Sequence, residues 1–350
     1  MSSDIDIIIT WVDDSDSEWI SEKNKWLKLE KKKNHNKWAV GDNRYRDWDL
    51  LKYWFRGIEK YAPWVRTIHF VTCGHVPNWL NLDNSKLHIV KHSDYIPKKY
   101  LPTFNSHTIE LNLHRIPGLA DKFIYFNDDM FLLKNTKPED FFKNGLPRDF
   151  AGLDLRTLDR KIIDYRPYNA MIISEHFSKK DVLRNNKGLW FSLKYGPKCL
   201  IKTLLLMPFG RFSALQTDHL PINFLKKTFV EVWSKETDIL DFSCSQRFRG
   251  NFAVSPWLFR DWQRCKGEFI PKKPQLNSFI PCGKGYCSNT DDSIKPISKN
   301  ECIKRITHPK GLGMICLNDH CSDNAQFYEW KDAVHNAFRK HFSNKSKFEL

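Results

Sequence analysis

The sequence lacks any apolar stretch long enough to cross a membrane. Its longest apolar run, 200–209, is interrupted by Lys202 and Pro208, whereas a membrane-spanning helix needs about 20 apolar residues. The N-terminus also lacks the basic region that opens a signal peptide. Instead, MSSDIDIIITWVDD turns acidic after a short apolar run that is typical of a strand. We therefore expect a chain that begins in the cytoplasm.

The cysteines do not form the pattern of a disulfide framework. There are nine of them, an odd number, scattered through the chain, and reduced thiols are the expected state of such a set in a cytoplasmic protein. Two pairs, Cys282/Cys287 and Cys316/Cys321, have four residues between their members. Most zinc knuckles have two residues there, so the spacing does not predict a structural zinc site.

Acidic residues are in the minority, with 41 Asp and Glu against 56 Lys and Arg, a formal net charge of +15. Such a charge fits nucleic acid, an anionic membrane surface or small phosphate-bearing substrates. A nucleic-acid module would interleave basic residues with stacking aromatics, whereas the polar motifs here are acidic, so we expect no nucleic-acid partner. The segment 194–211, KYGPKCLIKTLLLMPFGR, mixes basic and apolar residues. It could lie at a membrane interface, although its apolar content favours a buried helix.

The N-terminal 150 residues alternate between strand and helix patterns. With 41% hydrophobic residues among 350, the chain can bury one large core. The predicted strands are 5–10, 67–72, 87–90 and 123–126, and the predicted helices are 47–61 and 106–116. This alternation predicts an α/β fold with a Rossmann-like, mostly parallel sheet.

After residue 150 the pattern becomes mainly helical. One predicted helix face consists of Ile222, Leu225, Phe229, Val232 and Trp233. A loop rich in Pro, Gly and Cys is expected over 267–298, followed by a closing amphipathic helix at 325–342. We predict three segments packed as one unit: an α/β core at 1–150, a mainly helical segment at 151–265, and a loop-rich segment with the closing helix at 266–350.

Two acidic clusters follow predicted strands. Asp13-Asp14-Ser15-Asp16 follows the first strand and Asn127-Asp128-Asp129 the last, and ligands of parallel sheets bind outside the carboxyl ends of the strands. The adjacent carboxylates of Asp128 and Asp129 suit a hard cation such as Mg²⁺ or Mn²⁺ that bridges diphosphate oxygens. The same pair could instead cap backbone groups in a turn. The first cluster could contact a nucleotide, or could cap the next helix through Asp16 or Ser17.

A histidine and two arginines form a further candidate set. His219 precedes Leu220-Pro221, and Pro221 in a first helical turn would place the imidazole at a helix start. There it could act as a general base toward a hydroxyl group, or be structural. Arg247 and Arg249 flank Phe248, so an extended segment would direct both guanidinium groups to one side. Such a forked pair suits a diphosphate, and a surface salt bridge is the alternative.

Four separated blocks of the sequence resemble the Stealth family. This family includes bacterial capsular polysaccharide phosphotransferases and the animal transferase that tags lysosomal enzymes with N-acetylglucosamine 1-phosphate. The blocks are IDIIITWVDDSD at 5–16, the stretch 43–133 with NRYRD, LPTFNSHTIE and FIYFNDDMF, then HLPINFLKKTFVEVW followed by SQRFR, and finally CLND at 316–319. They occur in the family's order and cover about half of the chain.

The resemblance implies transfer of a sugar 1-phosphate from a UDP-sugar to a saccharide hydroxyl, with release of UMP. It implies that the α/β core binds the nucleotide-sugar at the strand ends and that the later segments complete the site. Asp128 and Asp129 would hold Mg²⁺ or Mn²⁺, His219 would be the base, and Arg249 would stabilise the phosphate. With Arg247 added from the forked pair, the predicted catalytic set is Glu110, Asp129, His219, Arg247 and Arg249. The implied substrate-binding set is Thr10, Trp11, Asp13, Asp16, Arg44, Asn105, Ser106, Arg115, Asn318 and Asp319.

The implied partners are a UDP-sugar donor and a growing saccharide acceptor, with peripheral association at the inner face of an anionic cytoplasmic membrane as a further option. The chain departs from the family in its first block, where Asp14 replaces a usual Gly and Ser17 a frequent Pro. Because Gly adopts positive φ more readily than Asp, the shape of that loop is less defined by the resemblance. The alternative activity is that of a metal-dependent glycosyltransferase, which would release UDP.

Overall fold

A computed structural model describes residues 4–30, 46–156, 164–275, 278–283, 297–311 and 313–350. The strands, in chain order, are β1 Ile5–Thr10, β2 Ile68–Thr72, β3 Leu87–Lys91, β4 Lys122–Asn127, β5 Met130–Leu132, β6 Phe142–Lys143, β7 Leu146–Asp149, β8 Leu153–Asp154, β9 Ala214–Leu215, β10 Ile222–Leu225, β11 Ile270–Pro271, β12 Phe279–Cys282 and β13 Met314–Asp319. The helices are α1 Ser17–Leu29, α2 Leu51–Tyr61, α3 His92–Tyr95, α4 Ser106–Leu111, α5 Pro138–Phe141, α6 Arg166–His176, α7 Lys179–Asn185, α8 Lys187–Trp190, α9 Pro197–Leu206, α10 Lys226–Lys235, α11 Thr237–Ser245, α12 Trp257–Lys266, α13 Lys299–Thr307 and α14 Asn324–His341. Short 3₁₀ helices lie at Lys98–Tyr100, Leu113–Arg115 and Leu193–Tyr195.

The main sheet has five strands in the order β10-β4-β1-β2-β3. Strands β4, β1, β2 and β3 run parallel, and β10 pairs antiparallel with β4. The predicted α/β fold with a mostly parallel sheet is therefore confirmed. Thr10 lies opposite Asn127 in the β1–β4 register, so the loops that follow both strands leave the same edge of the sheet.

Both faces of the main sheet are covered by helices, which explains why its central strands are mostly apolar, although Asp6 of β1 and His69 of β2 are also buried. Successive side chains of β1 point to opposite faces. Ile7 belongs to a core that includes Phe55 of α2 and residues of α14. Ile8 belongs to a second core that includes Phe229 of α10 and Phe259 of α12.

A second sheet places the fourth sequence block next to the acidic pair. Its order is β12-β13-β5, with β13 parallel to β12 and antiparallel to β5. Strand β5 begins one residue after Asp129, and β13 contains CLND. The prediction of a loop over 267–298 was wrong at two places. Ile270–Pro271 pairs with β7 as strand β11, and Phe279–Cys282 pairs with Cys316–Asp319 along β13. Cys287 lies outside the described residues.

The predicted helix face over 222–233 was wrong in its first four residues. Ile222–Leu225 is strand β10, and the helix begins at Lys226. The reason is tertiary pairing: Ile222 lies opposite Tyr125 of β4 in the antiparallel ladder, which offers a short apolar run more buried partners than an additional helical turn would. Consequently, His219 lies in the loop before a strand and not at a helix start.

The helix expected within 194–211 is present, but the expectation that it is buried was wrong. Helix α9 forms over Pro197–Leu206, but its buried residues are only Cys199 and Thr203. Leu200 and Leu206 are partly buried against the second core, whereas Leu204 and Leu205 are exposed. The closing helix is confirmed as Asn324–His341. Spanning a bilayer would require a longer and more apolar helix than any that the described ranges contain. The division at residues 150 and 265 stays a prediction.

Candidate active site

A cavity of about 310 Å³ lies at the carboxyl ends of β1 and β4. The strand ends open there because the chain leaves β1 toward α1 and leaves β4 through a turn into β5. The cavity is lined by residues from distant regions of the sequence. They include Thr10, Trp11, Arg46, Asp47, Ser106, Glu110, Asn127, Asp128, Asp129, His219, Arg249, Asn318 and Asp319.

Asp129 is fixed by strand β13. The Leu317 amide donates to the Asp129 carbonyl oxygen at 2.8 Å. The carboxylate oxygen Oδ2 of Asp129 accepts a hydrogen bond from Cys316 Sγ at 3.2 Å and one from Asn318 Nδ2 at 3.4 Å. The other oxygen, Oδ1, is buried without a hydrogen-bond partner among the described residues. Leaving a buried carboxylate oxygen unpaired is costly, so this atom is suited to a ligand that the cavity would receive.

The donor set around Asp129 fits a divalent cation. Asp128 and Asp129 both line the cavity, and carboxylate oxygens are the ligand type that Mg²⁺ and Mn²⁺ prefer. One potential ligand atom each from Asp129, His219 and Cys316 lies within 4.8 Å of the others. Although Asp128 is solvent-accessible through the cavity, loss of hydration inside the cavity and then the charges of Asp129 and Asp47 raise its pKa well above the usual value. A bound cation would relieve this crowding of negative charge.

Asp47 and Arg46 also line the cavity but are not among the predicted site residues. Burial raises the pKa of Asp47 to about 6, and its Oδ2 accepts a bond from Trp11 Nε1 at 3.0 Å. Arg46 pairs with Asp319 at 2.8 Å and lies 4.6 Å from the centre of the Phe327 ring. Both residues belong to the NRYRD motif, and this motif is the feature of the sequence from which they could have been predicted. Arg44 of the same motif lies outside the described residues.

Glu110 is held on α4 at the inner end of the cavity. The helix is capped by Asn105, whose Oδ1 accepts from the His107 amide at 3.1 Å. Glu110 is only 6% exposed, and this burial, opposed by the positive charge of Arg249, raises its pKa to about 7. Arg249 in turn donates from Nη2 to Ser106 Oγ at 2.6 Å, so a carboxyl group and a guanidinium group share this wall.

His219 is held between aromatic rings. The ring centres of Trp257 and Phe279 lie 5.8 Å and 5.5 Å from that of His219, both nearly perpendicular to it. Burial lowers the pKa of His219, although the nearby Asp129 charge opposes this effect. A histidine with a lowered pKa is neutral near pH 7 and can accept a proton.

The segment before His219 is clamped by buried arginines. Arg260 donates to Asp218 Oδ1 at 2.8 Å and to Thr217 Oγ1 at 3.2 Å. Arg264 donates to the Gln216 carbonyl oxygen at 3.0 Å. Both arginines also bind Asp149 at the end of β7, and although burial opposes the effect, their charges hold the pKa of that carboxyl far below its usual range. The network therefore fixes the backbone that carries His219.

A second cavity of about 120 Å³ adjoins the first. Four residues line both cavities, namely Glu110, Asn127, His219 and Arg249. The remaining wall of the smaller cavity is largely aromatic and polar. It includes His107, Asp164, Tyr165, Arg166, Ser255 and Trp257. The two cavities thus meet at a carboxyl group, an imidazole and a guanidinium group.

Two predicted residues of the first block have structural partners and do not line either cavity. Asp13 Oδ1 accepts from the amide and hydroxyl of Ser15, at 2.9 and 2.6 Å. Asp16 caps α1 by accepting from the Trp19 amide at 2.8 Å, the capping alternative considered above. Their assignment to substrate binding stays a prediction.

Three further predicted residues also lie outside both cavities. Asn105 is the cap of α4. Arg115 packs on the Trp233 ring at 4.8 Å. Arg247 lies 4.0 Å from the centre of the Trp26 ring, whereas Arg249 bonds to Ser106. The two arginines therefore do not form a fork on one ligand, and the roles of all three residues stay predictions.

Comparison with known proteins identifies the family. The chain matches Stealth protein conserved region 1 over residues 3–29 and conserved region 2 over residues 44–149. It is 40% identical over 348 residues to the capsular polysaccharide phosphotransferase WcwK of Streptococcus pneumoniae, and the alignment covers 99% of this chain and 98% of that protein. It is 35% identical over 350 residues to the exopolysaccharide phosphotransferase cps2G of Lactiplantibacillus plantarum, covering 99% and 96%.

Both relatives are named as bacterial phosphotransferases, and this similarity supports a transferase. The chain belongs to the Stealth family, which confirms the resemblance found in the sequence. A solved structure of the galactosyltransferase LgtC, bound to donor and acceptor sugar analogues, matches 98% of each chain at 10% identity. The TM-score of this match is 0.35.

Proposed function

We propose that this chain transfers a hexose or N-acetylhexosamine 1-phosphate from a UDP-sugar to a saccharide hydroxyl, releasing UMP, in the synthesis of a capsular or other cell-surface polysaccharide. One observation carries the proposal. Glu110, His219 and Arg249 come from distant regions of the chain and meet where the larger, acidic cavity joins the smaller one. Relatives that are named polysaccharide phosphotransferases support the same reaction class.

The larger cavity is the proposed donor site. Its volume of about 310 Å³ is at the lower end of the range for small-molecule sites, roughly 300–1,000 Å³. Asp128 and Asp129 would hold Mg²⁺ or Mn²⁺, which when bound would neutralise diphosphate charge. Arg249 would face the same diphosphate with a charge-assisted hydrogen bond. Phosphoryl transfer depends mainly on positioning and on such neutralisation.

The smaller cavity is the proposed acceptor site. Tyr165 and Trp257 provide ring surfaces against which a sugar can pack, and Arg166 provides a polar contact. A hydroxyl of the acceptor would lie near His219, which takes its proton. The hydroxyl oxygen then bonds to the sugar-proximal phosphorus, the bond from that phosphorus to the bridging oxygen breaks, and UMP leaves with the electron pair of that bond.

The proposed location is the cytoplasm, with peripheral association at the inner face of the membrane. The eight described cysteines are all free, and free thiols are typical of reducing compartments. We propose that the net positive charge of the chain serves contacts with anionic substrates and with the membrane surface, and not with nucleic acid.

The nucleotide product tests the proposal. Purified protein is incubated with UDP-N-acetylglucosamine, Mg²⁺ and an oligosaccharide primer, and nucleotides are separated by anion-exchange chromatography. We expect UMP to accumulate with the primer product, and a panel of other UDP-sugars identifies the preferred donor. Asp129→Asn and addition of EDTA should each abolish UMP formation, whereas Arg184→Ala, on an exposed ion pair with Asp181, should not. Release of UDP in place of UMP would instead identify a glycosyltransferase.

A further inference from the structure

An exposed apolar surface surrounds helix α9. Of the sixteen large hydrophobic side chains exposed in the described ranges, six fall within 193–209. Their exposed fractions are 89% for Leu193, 56% for Ile201, 53% for Leu204, 69% for Leu205, 41% for Met207 and 63% for Phe209. We call these six side chains the α9 surface. Single exposed apolar residues need no explanation, but a concentration of them marks an interaction site.

The orientation of α9 is fixed by its inner face. Cys199 and Thr203, four residues apart, lie on one side of the helix and are buried at 2% and 0% exposure. Thr203 Oγ1 donates to the Cys199 carbonyl oxygen at 3.0 Å and accepts from the Leu153 amide at 3.1 Å. Because this buried polar face faces the protein, Ile201, Leu204 and Leu205 face solvent.

Basic residues accompany the apolar ones. The segment 187–212 contains five Lys or Arg residues and no Asp or Glu. Lys198 and Arg211 are exposed beside the α9 surface. Lys202 is paired with Asp154, so it contributes less free charge. An apolar surface with positive charge around it complements a negatively charged, apolar partner.

We propose that the α9 surface docks on an anionic lipid bilayer. The six apolar side chains would enter the boundary between headgroups and acyl chains, and Lys198 and Arg211 would contact lipid phosphates. A second copy of this chain fits less well, because a symmetric contact would bring the basic residues of both copies together without acidic partners in this segment.

The docking surface is connected to the smaller cavity by helix α6. Arg166, at the start of α6, lines that cavity, and Ser174 in its last turn accepts from the Phe212 amide at 3.2 Å. Eight residues of helix separate the two by about 12 Å. Docking would therefore hold the smaller cavity close to the membrane surface. That this cavity receives the acceptor rests on the proposed function.

Vesicle sedimentation of the full chain tests the docking. Vesicles of phosphatidylcholine alone are compared with vesicles in which about a third of the lipid is phosphatidylglycerol. We expect binding to the anionic vesicles that weakens with salt. The double variant Leu204→Glu/Leu205→Glu should lose on the order of tenfold or more in partitioning, and Lys198→Gln and Arg211→Gln about fivefold each. The matched control is Val230→Glu/Phe242→Glu, two exposed apolar residues on other helices, which should bind like the original chain.

Two results would overturn the docking proposal. One is undiminished vesicle binding by Leu204→Glu/Leu205→Glu, with circular dichroism confirming that the variant is folded. The other is a lipid-independent dimer that this variant abolishes, which would assign the surface to a second copy. Transfer to a water-soluble oligosaccharide separates this proposal from the proposed function. Leu204→Glu/Leu205→Glu should keep the transfer to the oligosaccharide but lose binding to anionic vesicles. Conversely, if the original chain binds vesicles but never releases UMP, only the proposed function is refuted.

Discussion

Replacing Glu110 by Gln should stabilise the metal-free protein while abolishing its activity. Glu110 is buried at 6% exposure beside Arg249, and burial raises its pKa from 4.5 to about 7. A carboxyl group with a raised pKa in the folded state favours folding only while it is protonated. Its contribution is fully present below pH 4.5, falls as the pH rises to 7, and is absent at pH 8.

The size of this effect follows from the two pKa values. The difference between 4.5 and about 7 corresponds to about 3 kcal/mol of stability lost between pH 4.5 and pH 8. Gln cannot ionise and keeps the same shape, so it avoids this loss. With an unfolding entropy of about 2.1 cal/mol/K per residue, 350 residues convert about 3 kcal/mol to roughly 4 °C in melting temperature.

The assay is thermal denaturation of both proteins in EDTA, without nucleotide, at pH 5 and at pH 8. The melting temperature of Glu110→Gln relative to the original chain should rise between the two pH values by roughly 3 °C, because part of the loss already occurs below pH 5. Glu175→Gln, at an exposed position on α6, is the control and should show no such pH-dependent difference. A Glu110→Gln difference that is equal at both pH values would refute the reasoning, because it would mean that Glu110 titrates alike in both states.

Three further predictions concern residues that line the site or support it. His219→Ala should lower the transfer rate by about 10² to 10⁴ with an unchanged melting temperature, and a nearly full rate in steady-state kinetics would exclude it as the base. Arg249→Ala should lower kcat by about 10² to 10³. Arg247→Ala loses the packing of the guanidinium group on the Trp26 ring and should keep most of its rate. Equal losses of kcat in the two variants would contradict the assignment of Arg249 as the arginine that faces the phosphate. Arg260→Met should destabilise the fold by about 3–5 kcal/mol, because Asp218 would remain buried without that partner, and a denaturation curve that matches the original chain would contradict that role.

The parallel region of the fold could be predicted because its signals are local. Strand β1 contains the apolar run 7–9 and ends in Thr10, and β4 contains the apolar run 123–126 and ends in Asn127. Such runs are typical of strands covered on both faces. Strands β10 and β12 could not be recognised, because four-residue apolar segments such as Ile222–Leu225 fit a helix or a strand equally well. Their pairing with β4 and β13 decides the outcome.

The site was predictable to the extent that strand ends define it. Asp128 and Asp129 follow β4, and the register of the sheet brings their loop to the end of β1. The sequence could not distinguish Arg249, which lines the cavity, from Arg247, which packs on Trp26. That difference depends on how one loop packs against α1 and α4, which is a tertiary contact without a local pattern.

The most direct test of the central claim follows the sugar-proximal phosphorus. The protein is supplied with a UDP-sugar carrying ³²P in that position, together with Mg²⁺ and an oligosaccharide primer, and the products are separated by size and charge. Breaking the phosphoanhydride bond predicts that the label enters the saccharide product and that the released UMP is unlabelled. Label recovered in UDP, with an unlabelled saccharide product, would contradict the account.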